Sequence, residues 1–389
     1  MSLKRRGNAY WILAILVFLV FQFPYVRHFF FDHVGRWVYI FLYSTSLSFA
    51  LTPLVRELAL KFHILDHPAE RKIHKEATPL LGGLAIFISF TLALLSNMII
   101  DQKMFVILLT GSILTVVSLL DDWRGIAART KLAVQLIMCS VLMINGIVLE
   151  FFPIYTWWGQ GLNYLLTAIW VIGITNAMNF LDGMDGLAAG VSIIISGYLC
   201  IIAFQTHQPT LGWIAIAMLG SCLGFLPYNF RKKRSALLFL GDTGSIFIGY
   251  VLAALAVVGD WSERDPIVSF ATPVLIFWVL IYDMTFITVE RILTGKVRTV
   301  KEWIDYVGKD HIHHRMYTLL GDKRQAVMLI FLLSLTLGVT AITLRNARTI
   351  DSVLLVIQAA LITVIVSILD HFGRKRIGEM KIDKERSDD

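Results

Sequence analysis

Residues 163–204 read NYLLTAIWVIGITNAMNFL, then DGMD, then GLAAGVSIIISGYLCIIAF. Two apolar stretches, each close to the roughly 20 residues a helix needs to cross hydrocarbon, are joined by four residues of which three are polar or turn-forming. Helices satisfy their own backbone in lipid, so the segment reads as a transmembrane hairpin. The pattern recurs along the chain, with candidate spans at 10–26, 37–60, 80–99, 104–121, 130–150, 163–181, 186–204, 211–230, 243–259, 267–293, 325–344 and 350–371. The expected fold class is therefore an all-α polytopic membrane protein. Three regions follow from this: 1–36 with a first helix and linker, a polytopic body at 37–371, and a basic, polar tail at 372–389 that reads as a solvated anchor or a disordered end.

Composition agrees. Of 389 residues, 57% are hydrophobic and 16% charged, a balance no soluble domain keeps out of water. Cys139, Cys200 and Cys222 fall inside apolar stretches, which argues against a disulfide framework and a cysteine-ligated metal. Lys4, Arg5 and Arg6 precede an apolar run, but Phe23, Pro24, Tyr25 and Val26 offer no small-residue cleavage site, so the first segment is expected to stay in the membrane. An even number of spans puts both termini on one side. Lys and Arg number 26 in the terminal segments and loops of that side and 6 in the loops opposite, which predicts cytoplasmic termini. The net charge of +7 is explained by the same bias, so no nucleic-acid partner is expected.

The clusters of unusual polar residues fall on the predicted cytoplasmic side. A transporter is expected to carry ionisable groups near mid-membrane and to repeat its pattern in two halves, and no such repeat is visible. Chemistry at the cytoplasmic interface fits better.

Asp121 and Asp122 end an apolar span, where adjacent carboxylates repel each other and oppose the helix dipole. A divalent metal, a phosphate-bound metal, a proton-transfer role or a solvated helix end would each explain them. Lys131 opens the next span within reach of the same anion. Asn176, Asn179, Asp182 and Asp185 stand at three-residue intervals, and at 100° per residue they cannot converge on one continuous helix. Gly183 and Gly186 supply the break, leaving the two Asn residues near a helix end and the two Asp residues in a turn. Carboxylate and amide oxygens mixed in this way suit Mg²⁺, held jointly with substrate phosphates; a polar loop is the bland alternative.

Gly241-Asp242-Thr243-Gly244-Ser245 lies between the basic stretch 231–234 and a new span, and Asp242 is a natural N-cap as well as a candidate metal ligand. His311-Ile-His313-His314-Arg315 has no nearby cysteine and lacks the HExxH zinc pattern, so phosphate or sugar oxygens are the better fit than zinc. Upstream, Val300, Trp303, Ile304 and Val307 follow the spacing of an interfacial amphipathic helix. The loop from His63 to Lys75 carries Asp66, Arg71, Lys72 and His74, which also serve topology. Asp283 lies deep in a span, where a charge costs ~3 kcal/mol, and Arg291 is its expected partner unless it is protonated.

Together, DHPAERKIHKEATPLLGG, LLDDWRG, NAMNFLDGMDGLAAG, FLPYNF, FLGDTGS and HIHHR resemble the polyprenyl-phosphate N-acetylhexosamine-1-phosphate transferases over about residues 45–320. That family has eleven spans, so segment 10–26 is an additional one. The resemblance implies attack of a lipid phosphate on the β-phosphate of a UDP-N-acetylhexosamine at the inner membrane of a bacterium, with release of UMP. It implies Asp121, Asp122 and Asp182 in the catalytic centre, with Asp121 or Asp122 as a proposed base and Lys131 on phosphate. It further implies Asn179 and Asp242 on Mg²⁺ (Mn²⁺ as substitute), and Asp185 and Phe239 at the uracil. Lys75 is expected near the nucleotide; Asn176, Asn229, His311 and His314 line the substrates, and His313 and Arg315 contact the sugar and diphosphate. The Arg71-Lys-Ile-His74 element is similar to the simple N-acetylhexosamine branch, which favours UDP-GlcNAc, with UDP-GalNAc, 6-deoxy sugars and a muramyl-pentapeptide donor as alternatives. A homodimer is expected on the resemblance alone. The rival from another class is a lipid-linked sugar transporter.

Overall fold

The computed structural model describes residues 2–68, 77–232, 234–262, 265–306, 308 and 310–388. The chain opens with α1 (Ser2–Val20) and α2 (Pro24–Phe29), followed by a π-turn at Phe30–Val34. The apolar parts of this stretch meet at 80°, so the first predicted span is a bent pair rather than a straight helix. Pro24 at the first position of α2 marks the break. Next come α3 (Arg36–Lys61), a short antiparallel pairing of β1 (Leu65–Asp66) with β2 (Thr78–Pro79), α4 (Gly82–Ser96), α5 (Gln102–Arg124) and α6 (Ala128–Ile144). The hairpin with which the sequence was first read becomes α7 (Trp157–Leu181) and α8 (Leu187–Gln205), and α9 (Pro209–Asn229) and α10 (Gly241–Val258) follow. The remainder comprises α11 (Pro266–Ile276), α12 (Trp278–Leu293), α13 (Val300–Asp305), α14 (Ile312–Leu320), α15 (Lys323–Ile342) and α16 (Thr349–Asp388).

Eight of these helices are long and apolar enough to cross a membrane, or up to ten counting each bent pair as one span, among the described residues. Each of the twelve expected spans coincides with a helix or a bent pair, but two are shorter than a full crossing. Helix α4 has 15 residues because β2 and the turn at Leu81 occupy the start of its segment. Helix α6 has 17 because Asn145 and Gly146, the latter at φ +74°, end it early. A second bend of 79° separates α11 from α12. The polar tail, expected as a solvated or disordered end, continues α16 as helix to Asp388. This is a multi-pass, almost wholly helical membrane protein.

Helix α10 is the axis of the bundle, with every residue from Thr243 to Val257 buried. It packs against α4, α5 and α7. Without a hydrophobic drive between helices in lipid, such contacts depend on small residues that let backbones approach. A Cβ on Gly249 would lie 2.9 Å from the Met178 side chain of α7. Aliphatic side chains on the outer helices, such as Val116, Ile169 and Leu361, stay exposed, as a lipid-facing surface requires.

The helices start in two ways. Five are capped by the side chain just before them: Asp101 accepts from Met104 N on α5, Thr156 from Gly159 N on α7, Asp265 from Ile267 N on α11, Thr299 from Glu302 N on α13 and Asp322 from Gln325 N on α15. At α4, α8, α10 and α14 there is no such local cap, and N–H groups at their starts are met by residues distant in sequence. Those four starts lie beside the polar clusters.

Candidate active site

The start of α10 is the centre of the constellation. Asp122, at the end of α5, accepts from Asp242 N at 3.0 Å through Oδ1, and from Thr243 N at 3.0 Å and Thr243 Oγ1 at 2.6 Å through Oδ2. Asp242 was expected to be the N-cap of this helix. It is not: α10 begins at Gly241, Asp242 lies within its first turn, and the carboxylate meeting the free N–H groups is Asp122. Asp242 is thereby freed to face the site. Gly241 is required at φ +74°, and a Cβ there would sit 2.7 Å from Asp122 Oδ2.

Lys131 joins Asp121 to Asp242. Its Nζ donates to Asp121 Oδ2 at 2.6 Å and to Asp242 Oδ2 at 2.8 Å. Asp121 Oδ1 also accepts from Ile126 N at 2.5 Å, which folds the DDWRG loop back on itself. From the end of α7, Asn179 Nδ2 donates to Asp242 Oδ1 and to Ser245 Oγ, both at 2.9 Å. With both amide hydrogens used, its carbonyl oxygen is the donor left for a cation.

Asp182 closes the ring. It caps the C-terminus of α7 and takes a hydrogen bond from the Gly241 backbone. Burial, then the carboxylates of Asp242, Asp122 and Asp185, holds its carboxyl well above the usual carboxylate range. Among the described residues, the carboxylates of the centre outnumber the one ammonium bonded to them, that of Lys131. Among the described residues, no three His, Cys, Asp or Glu side chains are already arranged as a metal cage. An incomplete set of hard oxygen donors with surplus negative charge is what Mg²⁺ uses when substrate phosphates complete its shell. The residues present fit that ion.

The turn after Asp182 behaves as the spacing predicted, with α7 ending at Leu181 and Gly186 at φ +78° before α8. Its two glycines have different roles. Gly186 supplies the left-handed backbone. Gly183 gives room: a Cβ there would lie 2.2 Å from His313 Nε2.

Asn229 anchors the 230–240 loop. Its Oδ1 accepts from Gly186 N at 2.6 Å and its Nδ2 donates to Leu238 O at 3.0 Å, and the residue is 3% exposed. The expected substrate contact is thus a clamp whose amide is spent on backbone at both ends. Asp185 Oδ2 accepts from Ala236 N at 2.9 Å, tying the same loop to the turn. Phe239, half-buried, donates its N–H to Pro79 O at 2.9 Å, and the N–H groups of Gly82 and Gly83 donate to Phe239 O and Leu240 O at 2.9 and 2.8 Å. The TPLLGG and FLGDTGS motifs are therefore one knit unit. Lys75, Arg71, Lys72 and His74 lie outside the described residues.

Asn176 stands one turn before Asn179 and does not join the carboxylates. Its Nδ2 donates to Gln135 Oε1 at 2.7 Å and to Ile172 O at 2.8 Å. Gln135 carries no sequence signal beyond being an amide in an apolar run.

The histidine segment approaches from the other side. His311 stacks near Phe180 at 5.1 Å between ring centroids, and its Nδ1 meets Asp283 Oδ2 at 2.8 Å. Asp283 Oδ1 accepts from Ile312 N at 2.6 Å. The expected Asp283–Arg291 pair is therefore replaced: Asp283 caps α14 and orients His311, while Arg291 makes a two-pronged pair with Asp310 at 2.7 Å each. His313 is 2% exposed with neither ring nitrogen hydrogen-bonded, and burial followed by the neighbouring imidazoles of His314 and His311 holds it well below the ordinary histidine range. It is a neutral ring turned toward Gly183. His314 is half-buried beside it, with ring centroids 4.3 Å apart. Arg315 departs from its expected role. Its Nε donates to Asp370 Oδ2 at 2.8 Å, and its guanidinium lies 3.7 Å over Phe286, leaving it 2% exposed.

Comparison with known proteins then decides the family. The chain is 33% identical over 325 residues to the probable undecaprenyl-phosphate N-acetylglucosaminyl 1-phosphate transferase of Bacillus subtilis (strain 168), covering 81% of this chain and 87% of that protein. The chain belongs to the polyprenyl-phosphate N-acetylhexosamine-1-phosphate transferases. Residues 104–260, from α5 to the end of α10, match the model for glycosyl transferase family 4. The decaprenyl-phosphate N-acetylglucosaminephosphotransferase of Mycobacterium leprae (strain TN) is 30% identical over 75% of this chain and 79% of its own length. The phospho-N-acetylmuramoyl-pentapeptide-transferase of Synechococcus sp. (strain JA-3-3Ab) is 34% identical over 56% of this chain and 66% of its own. The family match contains the aspartate pair, Lys131, the DGMD turn and the FLGDTGS motif, which are the residues that meet around Asp242.

Proposed function

We propose that this enzyme transfers N-acetylglucosamine 1-phosphate from its UDP-sugar to undecaprenyl phosphate, releasing UMP, at the cytoplasmic face of a bacterial inner membrane. The observation that carries the reading is the convergence of Asp121, Asp122, Lys131, Asn179, Asp182 and Asp242 at one end of a membrane bundle. The greater coverage of the N-acetylglucosaminyl relatives supports GlcNAc over the muramyl-pentapeptide donor. The excess of Lys and Arg on one side supports cytoplasmic termini and a cytoplasmic site. A homodimer rests on the family resemblance.

In the reaction, an oxygen of the lipid phosphate attacks the β-phosphorus of the UDP-sugar. A new P–O–P bond forms as the bond to UMP breaks, and UMP carries away the electron pair. Several negative charges meet, so cations must reduce their repulsion and stabilise the transition state. Mg²⁺, with Mn²⁺ as substitute, would be held by Asp242, Asp182 and the Asn179 carbonyl, and supplies that charge when bound. Lys131 presents an ammonium to the same anions. His313 borders the DGMD turn at Gly183 and His311 lies beside Phe180, so both imidazoles would stand next to a donor bound at that turn. The lipid phosphate is already anionic near neutral pH, so no strong base is needed, and Asp122 is engaged in holding α10.

The deciding experiment is UMP release by purified enzyme from UDP-GlcNAc and undecaprenyl phosphate with Mg²⁺, run beside the muramyl-pentapeptide, UDP-GalNAc and 6-deoxy donors. Turnover is expected with UDP-GlcNAc and its loss with EDTA; no release from any donor would remove the transferase reading. Asp122→Asn is expected to slow turnover about 10- to 100-fold, as a misplaced support does, with an unchanged shape of the pH–rate profile. Loss of one limb of that profile would restore Asp122 as the base.

A further inference from the structure

Among the described residues, two buried carboxylates lie within the membrane segments and do not reach the Asp242 centre. Asp283 is 2% exposed and Asp370 is fully buried. An acidic residue within a membrane span costs free energy to insert, so its partner indicates its purpose. Both terminate on the same short element. Asp283, from α12, takes the Ile312 N–H and His311 Nδ1 at the start of α14. Asp370, from α16, takes Arg315 Nε at 2.8 Å, and Tyr282 Oη accepts from the same guanidinium at 3.3 Å. Tyr282 is bonded in turn to Ser367 at 2.5 Å, so α12 and α16 are cross-linked beneath α14.

The Arg315 guanidinium, stacked on Phe286 and bonded through Nε to Asp370, is 2% exposed, with only Nη1 left without a partner, so it is buried among helices rather than presented to a substrate phosphate. What it does fix is where α14 sits. The imidazoles of His311 and His313 on this segment meet Phe180 and Gly183 at the end of α7, the helix that also carries Asn179 and Asp182. Apolar packing could hold α14 as strongly, but directional charge-assisted bonds at its N-terminus and one turn further in also set its rotation and its depth. We infer that Asp370 and Asp283 are positioning residues for the transfer reaction, acting through Arg315 and His311 to hold the histidine segment against the DGMD turn.

This rests on the transferase reading, so the test pairs a kinetic readout with one that needs no turnover. Wild type, Arg315→Met, Asp370→Asn and the double variant Arg315→Met/Asp370→Leu are compared in purified form. Each is expected to lose about the same factor in kcat, roughly 10- to 100-fold, with the KM for UDP-GlcNAc within about threefold, because all three remove one link. The double variant, an apolar pair, is expected to fold as stably as wild type and still be slow. Asp370→Glu and Arg315→Lys should each recover part of the rate. Losses that multiply in the double variant, or a KM that rises tenfold or more in Arg315→Met while Asp370→Asn is silent, would make Arg315 a direct donor contact and overturn the inference. By hydrogen exchange, amides 312–320 should exchange faster in Asp370→Asn, and again in Asp283→Asn, while amides 241–258 do not change. Unaltered exchange in α14 would also overturn it. An inactive wild type would count against the transferase reading and leave exchange to decide this one.

Discussion

Replacing Lys131 by Met is expected to lower the rate of UMP release by about 10³-fold, the upper range for loss of one preorganised electrostatic contact. The Met side chain preserves length and apolar volume but leaves Asp121 Oδ2 and Asp242 Oδ2, now bridged at 2.6 and 2.8 Å, with no shared ammonium. Two effects then act in the same direction. The carboxylates repel one another, which spreads the start of α10 away from α5, and the anions of the reaction lose a counter-charge. Lys131→Arg should be intermediate, since a planar fork cannot replace a point donor set between two oxygens. Initial-rate measurement on purified variants with an unchanged circular dichroism spectrum checks this. A Met variant within tenfold of wild type would show that the ammonium is not serving the chemistry.

The largest expected effect on stability is at Gly83. A Cβ there would come within 2.1 Å of both Cα and N of Gly244, and backbone atoms cannot step aside as a side-chain tip can. Gly83→Ala must separate α4 from α10, breaking the Gly83 N to Leu240 O bond of 2.8 Å. The cost is about 3 kcal/mol or more, at the severe end of overpacking. Failure to accumulate, or a clear drop in thermal midpoint of the detergent-solubilised protein, is the expected result. Gly161→Ala, where a Cβ would meet nothing within 4 Å, is the control. A Gly83→Ala midpoint within about 2 °C of that control would mean the two helices do not approach so closely.

These residues show which features were legible in the sequence. The apolar helices were, because hydrocarbon thickness imposes a length and a composition that single segments display, although eight to ten of the described helices, against twelve expected spans, are long enough to cross. The end of α7 was legible too: four polar residues at three-residue intervals cannot share a face, and Gly186 stood where a left-handed residue was needed. Partnerships between distant segments were not. That Asp122 rather than Asp242 caps α10 depends on a contact across 120 positions, and that Asp370 claims Arg315 depends on one across 55. Asp283 could be recognised as a buried charge needing a partner, yet Arg291, two helical turns along, was the nearer guess than His311. Local rules predict that such a group must be satisfied but not by whom. Asn229 and Asn176 illustrate the same limit, since an amide spent on backbone and one facing a substrate look alike in sequence.

The knitting of Gly82 and Gly83 to Phe239 and Leu240 joins positions about 160 residues apart. A ribosome feeds the chain into the membrane from its first helix onward, so α4 must be inserted and wait, its first N–H groups unmet, while five further helices, α5 to α9, are made. The aspartates of α5 and Asn179 of α7 are likewise in place before Asp242 exists to meet them. Chains arrested before residue 240 should therefore display the spans without the acidic centre, and the enzyme's chemistry should appear late in its own synthesis rather than growing with each added helix.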